Sequence, residues 1–355
     1  MSQINVTNIQ HETGAGSNIT LDASGNVVCA ADVQMASLNS SFLSGFRNQI
    51  INGGLNVWQT GTTVGIPDST PTYAADRWNM RSIGSAQTVY KVGAPGSTVG
   101  SLPAGFSGGI ESNQTSGATI HLCQGIELAR TGNAGIFANG TQWTMSVWAN
   151  FDLTAEDTFR AQFVDQVGFA TTPDIVTAFE QSWVSTGQTS NGWTRYQATG
   201  TISGTPNASA TCLRAGIYFD AGEAIGGGRR ALTGAMFEPG PVSTPFEQML
   251  IGTELQLCQR YYQYIDYVST NGGQSTPGSG WYQYPIQFLV QMRTAPDFEA
   301  TDTGGSGNAS WVLVDGTSGT GFVAANLYDN SVTIRANSGG ITRSLIGRVK
   351  LSAEL

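Results

Sequence analysis

From Arg47 to about Gln248 apolar and polar residues alternate in short stretches, the two-residue period of strands whose successive side chains face opposite ways. Thr119 to Glu127, Trp143 to Asn150, Thr158 to Val167, Trp193 to Ile202, Thr211 to Asp220 and Ala231 to Glu238 all carry it. Between them lie Gly, Asn, Ser, Thr and Pro clusters such as TGNAGIFANG and SGTPNAS, which are turn chemistry. Many short strands without a long helix between them predict an antiparallel sandwich. At the end of this region the period changes. Leu232, Gly234, Met236 and Glu238 fall on one side of an alternating stretch, with Thr233, Ala235 and Phe237 on the other. The turn residues Pro239, Gly240, Pro241 and Pro245 follow. Then Ile251, Leu255, Cys258, Tyr262 and Ile265 recur at spacings of four, three, four and three, one stripe of a helix.

Beyond that helix the alternation returns in Tyr284 to Met292, Ser310 to Asp315, Phe322 to Tyr328, Ser331 to Ala336 and Ile346 to Ser352. Asp329-Asn330 predicts a tight turn, so Phe322 to Ala336 reads as a hairpin in a second, smaller β-sandwich. Ser269 to Gly280 reads as a long polar loop. At the other end, Ile4 and Val6, ITLDAS and VVCAADVQM give short strands, the last two joined by Gly25-Asn26. So few short strands bury too little surface to stand alone, which predicts association with copies of the chain or with another protein. The chain therefore reads as all-β: an N-terminal β segment over 1–46, a sandwich over 47–249, and a short helix with a smaller β-sandwich over 250–355.

Four pieces of this pattern are more specific than alternation. INGGLNVWQTGT (Ile51 to Thr62), YAADRW (Tyr73 to Trp78), TPFE and ELQLCQRYYQ, in that order, resemble fibre proteins of tailed bacteriophages. Those proteins carry a jelly-roll domain similar to carbohydrate-binding modules, so the resemblance implies a jelly roll for the middle sandwich. GAGSNITLDASGNV near the N-terminus resembles repeats at the attachment end of phage fibres, where three chains wind together. The resemblance implies a homotrimer in the virion that contacts other tail or baseplate proteins through its N-terminal segment. On three-fold packing the stripe Ile251, Leu255, Cys258, Tyr262 and Ile265 would face the axis, although packing on its own domain fits the same pattern.

Composition narrows the chemistry. Charged residues make up only 12% of the 355 and Gly accounts for 46, which favours turns and short strands over long helices. A net charge of −9 with scattered basic residues argues against nucleic-acid binding. No apolar run is long enough to span a membrane and no signal peptide is visible, so synthesis in a host cytoplasm without membrane insertion is expected. Cys29, Cys123, Cys212 and Cys258 are far apart and read as buried small hydrophobes, not as a disulfide framework.

Catalytic signals are weak. Gly105 to Gly109 matches the nucleophile-elbow pattern G-x-S-x-G, but that arrangement needs a strand before it and a helix after it. With only His11 and His121 in the chain, no histidine-based metal site is expected, and no cofactor is implied. Asp152, Glu156, Asp157, Asp165, Glu180 and Asp220 are read as solvated or capping carboxylates. Binding is the better expectation. An aromatic ring lies flat on the apolar face of a sugar while its polar edge stays hydrated. Tyr264, Tyr267, Trp281, Tyr282 and Tyr284, beside the long loop, are the candidate receptor-binding residues. The function that follows is a non-enzymatic tail fibre attaching to a host cell-surface polysaccharide. A structural connector of the tail or baseplate and a polysaccharide depolymerase are the alternatives.

Overall fold

The computed structural model describes residues 47–113, 118–128, 137–165, 175–204, 206, 210–219, 229–270, 274–275, 281–301, 311–313, 318–319, 323–337 and 345–354, together with short N-terminal strands. Residues 1–46 and 47–355 are two compact units. In the first, Asn8–Ile9 (β1), Ile19–Leu21 (β2) and Val27–Cys29 (β3) form an antiparallel sheet in that order. Ser37–Leu38 (β4) pairs with Ser41–Phe42 (β5).

The second unit opens with Thr63–Ile66 (β6), Thr72–Tyr73 (β7), Asn79–Ile83 (β8), Gln87–Lys91 (β9), Ile110–Ser112 (β10) and Thr119–Glu127 (β11). It continues with Gln142–Ala149 (β12), Thr158–Val164 (β13), Val176–Ser182 (β14), Val184–Ser190 (β15), Trp193–Thr201 (β16), Cys212–Phe219 (β17) and Arg230–Pro239 (β18). These strands make two antiparallel sheets, β15-β16-β12-β18-β10-β9-β6 and β14-β13-β17-β11-β8-β7. Successive strands hop between the sheets, as in a jelly roll: β16, β17 and β18 alternate from one to the other. Between the sheets lie Ile120 and Leu122, Trp143, Met145 and Val147, Phe159 and Phe163, Leu213 and Ile217, and Phe237, all at most 3% exposed. On each strand they are two or four residues apart, the inward half of the pleat. Polar residues of the central strands are buried too, because their outer faces are covered as well.

One strand departs from strict alternation. Leu232, Ala235 and Phe237 all belong to the inter-sheet core, so residues read as lying on opposite faces share one. A register shift against β12 between Ser146 and Trp148 absorbs the extra residue. Gly234, at φ 63°, supplies the left-handed backbone of this bulge.

After the sandwich come a short helix of about two and a half turns, Ile251–Gln259 (α1), then Tyr262–Thr270 (β19), Gln274–Ser275 (β20), Trp281–Gln287 (β21), Asp297–Thr301 (β22) and Trp311–Leu313 (β23). Ser318–Gly319 (β24), Val323–Leu327 (β25), Ser331–Asn337 (β26) and Leu345–Ser352 (β27) complete the chain. One sheet runs β19-β27-β23-β24 with β22 also on β27, the other β20-β21-β26-β25. The hairpin expected around Asp329-Asn330 is β25 against β26, with Leu327 opposite Val332. Ile286, Met292, Val332, Val349, Leu351 and Ala353 form a small separate core.

The helix is shorter than its stripe suggested. It stops at Gln259, and Tyr262 and Ile265 lie on β19, opposite Ser352 and Val349 of β27. The run Tyr-Tyr-Gln-Tyr-Ile favours a pleated strand, and burial alternates accordingly: Tyr261 and Gln263 are buried, while Tyr262 and Tyr264 are half-buried. Cys258 is fully buried against Ile51, Val57 and Tyr261, with Leu255 partly buried beside them, so this part of the stripe packs on its own chain. Ile251 is 58% exposed and is the one outward member of the stripe.

Candidate functional site

The four sequence pieces that carry the fibre resemblance, far apart along the chain, meet in one place. Asn52, at φ 56°, donates from Nδ2 to the carbonyls of Val57 (2.9 Å) and Asp76 (3.0 Å) and accepts from the Val57 N–H. Trp78 Nε1 donates to the Asn52 carbonyl at 2.9 Å, tying the first piece to the second. Glu247, of TPFE, accepts from the Asn48 N–H at 2.8 Å. Arg77 pairs with Glu354, donates to the Gly125 carbonyl at 2.7 Å, and lies 3.4 Å over the ring of Tyr261. Arg260 and Arg293 both approach Glu127 of β11, at 3.3 and 3.7 Å. These residues join the jelly-roll sheets to the C-terminal sheets. Trp78 is fully buried, and Trp58, partly buried against the sandwich core, donates from Nε1 to the Leu55 carbonyl at 2.8 Å.

Beside this joint the surface opens into a groove of about 430 Å³ lined by Gln59, Thr60, Gly61, Tyr262, Tyr264 and Lys350. Gln59 is held from below: its N–H donates to Asp76 Oδ1 at 2.7 Å and its Nε2 to the Tyr262 carbonyl at 2.8 Å. Sheet register sets the other wall. Tyr264 lies directly opposite Lys350, and Lys350 opposite Glu299 on its far side, with Lys350 Nζ 3.3 Å from Glu299 Oε1. Arg348 sits 5.9 Å from the Tyr264 ring. Burial, helped by Asp76 and Glu299, pushes the Tyr262 phenol up, so it stays a neutral hydroxyl. The groove thus offers two phenol rings, an amide, a hydroxyl and an ammonium.

Of the five receptor candidates, Tyr264 lines this groove. Tyr267 is on β19 and Trp281, Tyr282 and Tyr284 are on β21, a strand of the other C-terminal sheet; their side chains lie outside the described residues. Gln59, Thr60, Gly61 and Lys350 were not singled out by the sequence. The first three fall inside a resembling motif whose aromatics drew attention to packing. Lys350 is 86 residues from Tyr264 in numbering and meets it only through strand pairing.

The outer face of the smaller jelly-roll sheet carries a polar cluster. The His121 and Tyr218 rings pack 4.4 Å apart, tilted by 59°, Arg160 lies 4.5 Å over the Tyr218 ring, and Arg160 pairs with Glu180 at 2.9 Å. Tyr218 Oη and Arg214 both donate to Gln162 Oε1, at 3.2 and 2.6 Å. Burial, with Arg160, Arg81 and Arg214 nearby, lowers the His121 pKa to about 4. The imidazole is therefore neutral at physiological pH. Burial raises the Cys123 thiol to about 11 and Cys212 to about 12; with Cys258 they are free and buried.

The nucleophile-elbow match lacks the required geometry. Ser107 sits on a loop that leads into a strand, not a helix, and its Oγ donates to Asn56 Oδ1 at 2.9 Å. Three of the nominated carboxylates have structural partners: Asp157 accepts from the Thr154 N–H at 2.8 Å, Asp152 from Tyr196 Oη at 3.2 Å, and Glu180 pairs with Arg160. Among the described residues no three His, Cys, Asp or Glu side chains converge as metal ligands, and no helix is long and apolar enough to cross a membrane.

The sequence matches no family model and no curated protein. Solved structures that align with it include the enzymatically active domain of tailspike protein 4 of bacteriophage CBA120, at 15% identity and TM-score 0.32, over 55% of this chain and 22% of that one. A cyclase from Fischerella sp. TAU aligns at 11% identity and TM-score 0.29, over 52% of this chain and all of the other. The CBM22-1–GH10 modules of a Clostridium thermocellum xylanase align at 10% identity and TM-score 0.24, over 53% and 30%. At such low TM-scores none of them transfers a function, and this chain spans about a fifth of the tailspike's length.

Proposed function

We propose that this protein is a virion fibre component that attaches a tailed phage to a host cell-surface glycan without cleaving it. The observation that carries the reading is the groove at Tyr262, Tyr264, Gln59, Thr60 and Lys350, where tyrosine rings of β19 stand beside hydrogen-bonding side chains of β27 and of the 59–60 turn. Such a surface suits a sugar, which needs a flat apolar contact and several directional polar ones. Support also comes from the ordered resemblance of Ile51–Thr62, Tyr73–Trp78, TPFE and ELQLCQRYYQ to phage fibre proteins. As a homotrimer held to tail or baseplate proteins by residues 1–46, the chain presents three weak sites at once, and avidity does what one site does not.

The test is retention of labelled protein on intact host cells and on arrayed host polysaccharide. Retention is expected, with Tyr264→Ala weakening it by about two- to tenfold, the range of a single aromatic contact. Reducing ends are not expected to appear on incubation. A chain that ignores host cells overturns the reading.

A structural connector is the second reading. It is favoured by the joint itself, since the four resembling pieces are occupied in fastening the chain together. It predicts no glycan retention and tight binding to another virion protein.

A further inference from the structure

A second concave site lies away from the groove, between the loop carrying Gly105, Phe106 and Ser107 and the segment from Phe246 to Glu254. The cleft measures about 410 Å³, within the range of roughly 300 to 1,000 Å³ typical of small-ligand sites. Its floor is aromatic. Phe106 stands 5.0 Å from Phe246 and 6.3 Å from Trp148, with the rings tilted against one another. Phe106 is fixed there by the absence of a side chain at Gly234, where a Cβ would come within 2.7 Å of its ring.

The walls are polar and of mixed sign. Ser107 Oγ donates to Asn56 Oδ1 at 2.9 Å, and Asn56 and Glu254 both line the cleft. Lys91, on the same cleft, donates to the Asn56 carbonyl at 2.9 Å, and Gln248 donates to the Gly105 carbonyl. Glu254 is only 5% exposed, and burial raises its carboxyl above the usual range. Ammonium, carboxyl, amide and hydroxyl groups therefore converge on one aromatic floor, none of them drawn from the other groove.

We infer that this cleft binds one neutral, hydroxyl-rich unit, a saccharide, as a second glycan subsite of the same chain. A sugar hydroxyl both donates and accepts, so it suits a wall that alternates Lys91 with Glu254. With Lys91 and the Glu254 carboxyl on the same cleft, neither an anion nor a cation finds a wall of opposite charge alone. Phe106 and Phe246 supply the flat contact for the ring. The inference rests on the adhesion reading for its biological setting, and its chemistry is tested without it.

The experiment uses the full chain with the groove weakened by Tyr264→Ala. Saturation-transfer NMR is run with methyl glucoside, methyl galactoside, methyl rhamnoside and N-acetylglucosamine, and with glucuronate and glucosamine as charged counterparts. Residual binding of at least one neutral sugar is expected. Adding Ser107→Trp, an exposed position whose new side chain fills the cleft, is expected to weaken that binding about tenfold or more with the melting temperature kept. Glu254→Gln is the second variant and is expected to weaken it several-fold. No residual binding, binding indifferent to Ser107→Trp, or preference for a charged sugar overturns the inference. If the unmodified chain adheres to cells while Ser107→Trp changes nothing, only the cleft falls. If the cleft binds sugars and the chain ignores cells, the adhesion reading falls and the cleft stands.

Discussion

Arg77 holds the left-handed backbone at φ 71° with its guanidinium 1% exposed, and Glu354, Gly125 and Tyr261 surround it. Arg77→Ala leaves the Glu354 carboxylate buried without its partner, which costs about 3–5 kcal/mol. Chemical denaturation should register that loss, and Arg77→Lys should recover little, because an ammonium cannot stack and bridge together. Two other side chains set the acid response. In the window from about 6.5 down to about 4 the unfolded chain protonates its histidine while folded His121 does not, so stability falls as pH falls. His121→Phe keeps a ring against Tyr218 and should flatten that part of the profile, on the order of 3 kcal/mol in all. Below that window Glu111 takes over. It is buried, yet hydrogen bonds from Ser97, Thr98 and Val99 outweigh burial and hold its carboxyl below the ordinary range. Its contribution is present above the usual carboxylate range and is lost as pH falls through the lowered value. Glu111→Gln should lower stability at pH 7 by about 1.5–3 kcal/mol, and by progressively less as pH falls below the ordinary carboxylate range, measured as urea midpoints.

Among the elements, β11, β12, β13, β16, β17 and β18 were legible because they alternate; β11 spans Thr119–Glu127 as the pattern predicted. β6 to β10, β14 and β15 were not: the first five are at most five residues long, and Val184–Ser190 is a polar sheet edge with no apolar face to announce it. β19 was misread as helix because Tyr262 and Ile265 continue a four-three spacing that a strand of aromatics also permits over so few residues. The bulge in β18 was equally silent: a glycine in a strand permits one without requiring it. Gly234→Ala places a side chain against Phe106 and Trp148 at a left-handed position. It should destabilise the sandwich by about 1–3 kcal/mol and displace Phe106, read by thermal melting and by loss of sugar binding in the cleft.

For the whole molecule, the joint makes the C-terminal sheets part of the same compact unit as the jelly roll. Light scattering is expected to give three copies per particle, and removal of residues 1–46 should shift the mass towards the monomer if that segment supplies the burial its short strands lack. A monomeric full-length chain argues against the fibre reading. By itself the sequence determined the all-β class, the positions of the longer alternating strands and the resemblance to phage fibres, because two-residue alternation and turn chemistry are local properties. It could not determine where Lys350 meets Tyr264, how the resembling pieces close into one joint around Arg77, or how Ser107, Lys91 and Glu254 come to share a cleft. Those meetings are fixed by strand register, a bulge and the path of the chain between sheets, none of which is encoded within any single stretch of residues.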